Sequence, residues 1–294
     1  MSSELTKRIL FGLPAAVVAV AIVLAGGAAL AALLAVASAL AAWEFYRIAR
    51  ASGQAPLGDL GCAVAGVLPL AVHARYLGFV TPRFAYFAAV LLAILGVSIW
   101  ARGVAGKPLG AAATTVLGVV YTGGMLSFAY AIRYHDYAAG GAQVGPIPIS
   151  SGGVLLGLPL VLTWATDIGA MAFGKMIGGR KLIPAVSPGK TLSGAVGGVV
   201  LAVIVAILYV HLALRPVAQL GMTLGAIVVF AIVTSVVGQI GDIFESLLKR
   251  EAGVKDSSTL LPGHGGVLDR IDSLLFVLPL AHLMLGWLLI PAPR

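Results

Sequence analysis

Residues 9–43 read ILFGLPAAVVAVAIVLAGGAALAALLAVASALAAW, flanked by Arg8 and Glu44, and no side chain in the run is ionisable. A helix that crosses a bilayer needs about 20 apolar residues. The run therefore supplies one long span or two short ones, with Gly26-Gly27 as the natural break. Comparable stretches recur to the C-terminus. The 294 residues are 60% hydrophobic and 10% charged, against about 45–50% and 25% in soluble proteins. A soluble enzyme with one anchor is excluded. The pattern predicts an all-α, polytopic membrane protein, a single membrane domain over 1–294.

Breaking the chain at charges, prolines and glycine clusters predicts about nine transmembrane helices, near 10–25, 27–48, 60–73, 84–101, 109–132, 153–177, 191–214, 217–248 and 270–290. Lys7 and Arg8 before an apolar run imitate a signal peptide. A second apolar stretch follows at once, so an uncleaved first span is expected. Nine spans put 14 of the 19 Lys and Arg on the N-terminal side of the membrane and 5 on the other. Cytoplasmic loops carry the basic excess, which predicts a cytoplasmic N-terminus and an outer C-terminus. The net charge of +8 is then explained by topology and anionic headgroups, and no nucleic-acid partner is expected. The lone Cys62 excludes an internal disulfide and a multi-cysteine metal site. GxxxG pairs, among them the four Gly153/Gly157, Gly174/Gly178, Gly194/Gly198 and Gly221/Gly225, are no more than so many glycines give by chance.

Acids are scarce, so their positions carry information. Six of eleven fall between Asp242 and Asp272, and Asp167 lies inside an apolar helix. Carboxylates at membrane depth are costly and face a polar interior. In the eighth span Ser235, Gln239, Asp242, Ser246 and Lys249 recur at helical spacing with Glu245 beside them, a stripe that must turn inward. A packing seam joined by hydrogen bonds would need less charge.

The loop after it reads Lys249-Arg250, Lys255-Asp256, Pro262-Gly263-His264-Gly265-Gly266 and Asp269-Arg270-Ile271-Asp272. Asp269 and Asp272, three apart at a helix start, share a face. Hard oxygens so placed suit Mg²⁺, which takes one or two carboxylates plus substrate phosphates. Glycines flanking His264 let backbone N–H groups approach an anion, and the bases Lys249, Arg250, Lys255 and Arg270 neutralise phosphate. Asp269 is equally suited to cap its helix. A second basic loop, Gly178-Gly179-Arg180-Lys181 then Ser187-Pro188-Gly189-Lys190-Thr191, leads into the seventh span. Its Ser, Lys and Thr suit a phosphate at a helix N-terminus, or a simple cap, and the spacing is not that of a Walker A motif.

These residues resemble a known family. The stretch from Ser246-Leu-Leu-Lys249-Arg250 through Lys255-Asp256 to Pro262-Gly263-His264-Gly265-Gly266-Val-Leu-Asp269-Arg270-Ile-Asp272 looks like the signature of phosphatidate cytidylyltransferase, also called CDP-diacylglycerol synthase. Asp167, Ala170, Gly174-Lys175, the second basic loop with Gly194, Gly238-Gln239-Ile240-Gly241-Asp242 and Trp43-Glu44-Phe45 fit the same pattern. The resemblance covers roughly residues 165–275 at motif level. Ser193 departs from it, since the family often has an acidic residue there.

The resemblance implies an Mg²⁺-dependent nucleotidyltransferase that joins CTP and phosphatidic acid into CDP-diacylglycerol and pyrophosphate, in phospholipid biosynthesis at a bacterial plasma (inner) membrane. It implies Asp242, Asp269, Asp272 and Asp167 as metal ligands, with room for a second cation. Lys255 and Arg270 join Asp242 and Asp269 in catalysis. Ser187, Lys190, Thr191, Lys249, Arg250, His264, Gly265 and Gly266 hold substrate and nucleotide. Residues 1–150 become scaffold and lipid-side helices, and 160–275 the catalytic helices and cytoplasmic loops. Membrane lipids are partners, and a homodimer is compatible with the pattern. Two other readings stay open: a related lipid nucleotidyltransferase or polyprenol-kinase-like enzyme, and an ion-coupled transporter using Asp167 and Asp242. No broken paired helices support the transporter. His73, His135, His211 and His282 are expected to be structural.

Overall fold

A computed structural model describes residues 3–81, 83–138, 141–144, 147–261, 263 and 265–292. The chain is an all-α polytopic membrane protein. Its helices are α1 (Ser3–Ala25), α2 (Gly27–Ala51), α3 (Gly58–Tyr76), α4 (Phe84–Arg102), α5 (Pro108–Val119), α6 (Met125–Arg133), α7 (Ser151–Ile177), α8 (Leu192–Tyr209), α9 (Leu224–Glu251) and α10 (Leu268–Leu288). A π-helical turn, Val120–Gly124, joins α5 to α6, and another, Val210–Ala218, extends α8. Among the described residues a helical rod thus stands at each of the nine expected spans. Seven are long and apolar enough to cross a membrane. The other two are α1, whose described apolar part is Pro14–Ala25, and α3, which carries Asp59, His73 and Arg75.

Short antiparallel pairs close three loops: β1 (Gly141–Val144) with β2 (Ile147–Ser150), β3 (Lys181–Ile183) with β4 (Ser187–Thr191), and β5 (Leu220–Gly221) with β6 (Ile290–Pro291). The outward faces are what lipid requires and water forbids. On α4, Phe84, Phe87, Leu92 and Trp100 are each more than 60% exposed, a continuous apolar surface that no soluble monomer carries. On α9 the polar stripe is turned in: Ser235 and Glu245 are fully buried, while Ile232, Val236, Ile240 and Leu247 face outward.

The chain divides into two compact units. The first comprises Met1–Ile22, Gly27–Tyr130 and Leu248–Ile271, and the second Val23–Gly26, Ala131–Leu247 and Asp272–Arg294. In the first, the fully buried Tyr46 donates its hydroxyl to the Thr115 carbonyl at 2.7 Å, and Thr115 Oγ1 accepts the Leu57 N–H at 2.8 Å. Local helical bonds alone cannot fix such rods side by side, and these long-range bonds do. In the second, Arg133 donates to the Val23 and Leu24 carbonyls, at 3.1 and 2.9 Å. Those are the last carbonyls of α1, which have no helical partner of their own. Beyond them Gly26 takes φ +71°, and a Cβ there would sit 2.8 Å from the Tyr134 hydroxyl. The break in the opening apolar run is therefore both a left-handed turn and a close approach.

Glycine also sets the packing of α7 on α8. A Cβ at Gly194 would lie 2.7 Å from the Ala170 carbonyl, and one at Gly198 2.9 Å from that of Thr166. Of the four GxxxG pairs, Gly194/Gly198 thus lies on a helix interface. Gly225 has nothing within 4 Å, so the pair with Gly221 marks none there.

Candidate active site

The second unit builds one cluster of functional side chains in a cleft of about 290 Å³, lined by Asp167, Lys190, Thr191, Gln239 and Asp242 among others. Three elements supply them. Asp167 lies exposed on α7, although its flanking helix is apolar. Asp242 and Gln239 come from the inward stripe of α9. Lys190 and Thr191 end β4, which pairs with β3 in the register Lys181 to Thr191 and Ile183 to Ser187. Thr191 then caps α8, its Oγ1 accepting the Gly194 N–H at 3.1 Å. Lys190 Nζ lies 2.8 Å from Asp242 Oδ2, with both side chains partly open to solvent.

Ser193 has a definite task in this loop. Its hydroxyl donates to the Gly178 carbonyl at the end of α7 and lies 3.1 Å from Thr191 Oγ1. An ionised carboxylate at this position has no proton to donate to Gly178. Ser193 thus ties the basic loop to the end of α7.

The first unit builds a second cluster, around Asp269 at the start of α10. Asp269 Oδ1 accepts from Lys249 Nζ at 2.7 Å, and Oδ2 accepts from the Ser257 hydroxyl at 2.9 Å and the Gly266 N–H at 2.7 Å. The Ser257 N–H adds a bond at 3.1 Å to Oδ2. Its side chain is only 7% exposed. Behind it lies Glu44, from α2, with no exposed surface. Its carboxylate accepts from the Ser258 hydroxyl at 2.5 Å and from the N–H groups of Val267 and Leu268 at 3.0 and 2.6 Å, and its Oε2 lies 3.1 Å from Ser257 Oγ. A negative group at a helix N-terminus satisfies orphan donors and opposes the helix dipole. Glu44 does this for α10 from another helix.

The glycines serve that arrangement. Gly265 adopts φ +79°, and a Cβ there would meet Asp269 Oδ2 at 2.7 Å. A Cβ at Gly266 would collide with Ser257 Oγ and the Glu44 carboxylate. The anion that these backbone groups approach is carried by the protein itself.

Of the remaining residues singled out in the sequence, Arg250, Lys255 and Arg270 are exposed, and Arg250 donates to the Val254 carbonyl at 3.3 Å. Asp272, one turn along α10, accepts the Ser273 N–H at 2.6 Å. Ser187 opens β4. His264 lies outside the described residues. Glu44, Ser257 and Ser258 were given no role in the sequence reading. The signal for Glu44 was an acid inside an apolar helix, which demands a partner.

The donors in both clusters suit a hard divalent cation. Among the described residues no three His, Cys, Asp or Glu side chains gather into a ligand set. A cation held here thus takes one or two carboxylates and completes its shell with phosphate and water, the coordination Mg²⁺ favours.

A polytopic membrane protein with paired Asp–Lys clusters at helix N-termini is thereby defined. The chain belongs to the cytidylyltransferase family, whose model matches residues 6–288. It is 46% identical over 126 residues to the phosphatidate cytidylyltransferase of Bacillus subtilis strain 168, covering 43% of this chain and 45% of that one. Over 125 residues it is 45% identical to the protein of that name from Staphylococcus aureus strain COL, covering 42% and 46%. The matches span somewhat under half the length of these relatives.

Proposed function

We propose that this protein transfers the cytidylyl group of CTP to phosphatidic acid, giving CDP-diacylglycerol and pyrophosphate, with Mg²⁺. Beyond family membership, one observation carries the reading: Lys190 pairs with Asp242 at 2.8 Å and Lys249 with Asp269 at 2.7 Å. Each lysine holds its carboxylate in place through a close ion pair. When a cation–phosphate group binds at either cluster, its lysine can exchange the carboxylate for a phosphate oxygen, freeing the carboxylate for the cation. The exchange leaves the local charge balanced, so no unpaired ion is buried.

In the reaction a phosphatidate oxygen attacks the α-phosphorus of CTP, the bond to the β-phosphate breaks, and pyrophosphate leaves with the electron pair. The attacking phosphate is already anionic near neutral pH, so no strong base is needed. Asp269 in the first unit, and Asp242, Asp167 and Asp272 in the second, are each candidate cation ligands. Lys190, Lys249, Arg250, Lys255 and Arg270 bind and orient phosphates, while Ser187, Thr191, His264, Gly265 and Gly266 line the nucleotide. Bound Mg²⁺ supplies neutralisation of the charge that builds on the leaving pyrophosphate. Positioning and charge carry the rate, with no covalent intermediate. We further assign a bacterial plasma membrane, with the N-terminus and basic loops cytoplasmic, where CTP is.

Purified protein given CTP, phosphatidic acid and Mg²⁺ should release CDP-diacylglycerol and pyrophosphate in equal amounts, and chelation of the cation should lower the rate by at least about 10²-fold. Absence of CDP-diacylglycerol would sink the reading, and transfer to another lipid would favour the related lipid-enzyme class. Lys190→Met should raise KM for CTP by about 10–100-fold, the loss of one charged hydrogen bond to phosphate. An unchanged KM would remove Lys190 from the triphosphate site.

A further inference from the structure

Ser257 Oγ lies 3.1 Å from Glu44 Oε2 and 2.9 Å from Asp269 Oδ2, and a hydroxyl carries a single proton. Ionised carboxylates only accept. At any moment one of the two receives the proton and the other faces an oxygen lone pair. Ser257 and Glu44 have no exposed surface, so solvent does not step in. Each remaining donor addresses only one of the two carboxylates. Asp269 keeps Lys249 Nζ and the Ser257 and Gly266 N–H groups, and Glu44 keeps Ser258, Val267 and Leu268.

Resting on the reading of Asp269 as a cation ligand, we propose that Ser257 is a two-position hydrogen-bond switch and Glu44 the positioning residue that works it. With the cation absent, Ser257 donates to Asp269 and holds its carboxylate in place. When Asp269 takes a cation, the hydroxyl turns its proton to Glu44 and offers an oxygen lone pair on the Asp269 side. No bond is broken and no proton leaves the serine. Without Glu44 as the alternative acceptor, Ser257 would have to release Asp269 into an unsatisfied hydrogen bond, and the cation would bind against that cost. Lys249 engages the opposite oxygen, Oδ1, so this switch and the lysine exchange act on different lone pairs.

The test measures Mn²⁺ binding to the full-length protein in detergent, by electron paramagnetic resonance and without CTP, so that it does not depend on which substrate is used. Glu44→Gln should weaken Mn²⁺ binding about tenfold, the usual scale for a residue that orients a metal ligand. In a Ser257→Ala background the same substitution should add less than about twofold, because its effect travels through the missing hydroxyl. Ser257→Ala alone removes the hydroxyl's bond in both positions of the switch, so it should change Mn²⁺ affinity by less than about threefold while shifting the unfolding midpoint by no more than about 3 °C. It keeps the backbone bond to Asp269, so it decides the matter even if Glu44→Gln does not fold. Equal effects of Glu44→Gln in both backgrounds, a loss of about tenfold or more in Ser257→Ala, or no Mn²⁺ binding by the wild type would each overturn the proposal. Coupled Mn²⁺ effects in a protein that makes no CDP-diacylglycerol would uphold the switch and count against the cytidylyltransferase reading alone.

Discussion

Asp269→Asn should lower CDP-diacylglycerol formation by about 10²–10³-fold or more, the scale of losing one preorganised charge-stabilising group. The substitution changes little in size but removes the charge that draws both Lys249 and a cation. With the amide oxygen in the place of Oδ2, the amide nitrogen faces Lys249 Nζ, so the substitution turns a well-satisfied site into one with opposed donors. The fold should survive. The amide oxygen can still take the Gly266 N–H at the helix start, and Glu44 still caps α10. Single-turnover assays at saturating Mg²⁺, alongside size-exclusion profiles in detergent, separate the two effects. Activity within about tenfold of wild type would take Asp269 out of the cation's shell and leave it as a cap.

Glu44→Ala should act in the opposite way, on folding before chemistry. The carboxylate is fully buried, accepts three hydrogen bonds of its own and lies 3.1 Å from the Ser257 hydroxyl. The two serine hydroxyls can turn elsewhere, but the Val267 and Leu268 N–H groups cannot. Two buried N–H groups without acceptors cost about 2–6 kcal/mol together. For a chain of this size that corresponds to an apparent unfolding midpoint lower by roughly 5–15 °C. Thermal unfolding in detergent measures it. A shift below about 2 °C would mean that the α10 N-terminus finds other acceptors and that Glu44 is not its cap.

The two aspartates differ in how their surroundings could be read. Asp242 lies on a helix whose polar stripe was legible from spacing alone, because a helix in lipid must hide such a stripe. Its inward orientation follows from the stripe, but its lysine does not. Lys190 arrives from a loop 52 positions earlier, through a two-stranded turn that no periodicity announces. Asp269 was open to two readings in the sequence, cation ligand and helix cap. The structure gives it the bonds of a cap and also a lysine that a cap does not need. Glu44, an acid inside an apolar helix, announced a partner but not which one, since Ser257 is 213 residues away. The glycines around residue 265 were legible as a place of close backbone approach. That the approaching anion belongs to the protein was not.

The sequence by itself determined the membrane class, the rods and the residue types of the basic loops. Those follow from composition and local spacing, and lipid imposes them on every helix alike. Only the tertiary structure decided which carboxylates lie open and which are enclosed. Asp242 keeps 37% of its side chain exposed beside Lys190, Asp269 keeps 7%, and Glu44 keeps none. A carboxylate's availability depends on how many donors surround it, and here those donors are brought by segments far apart in the chain.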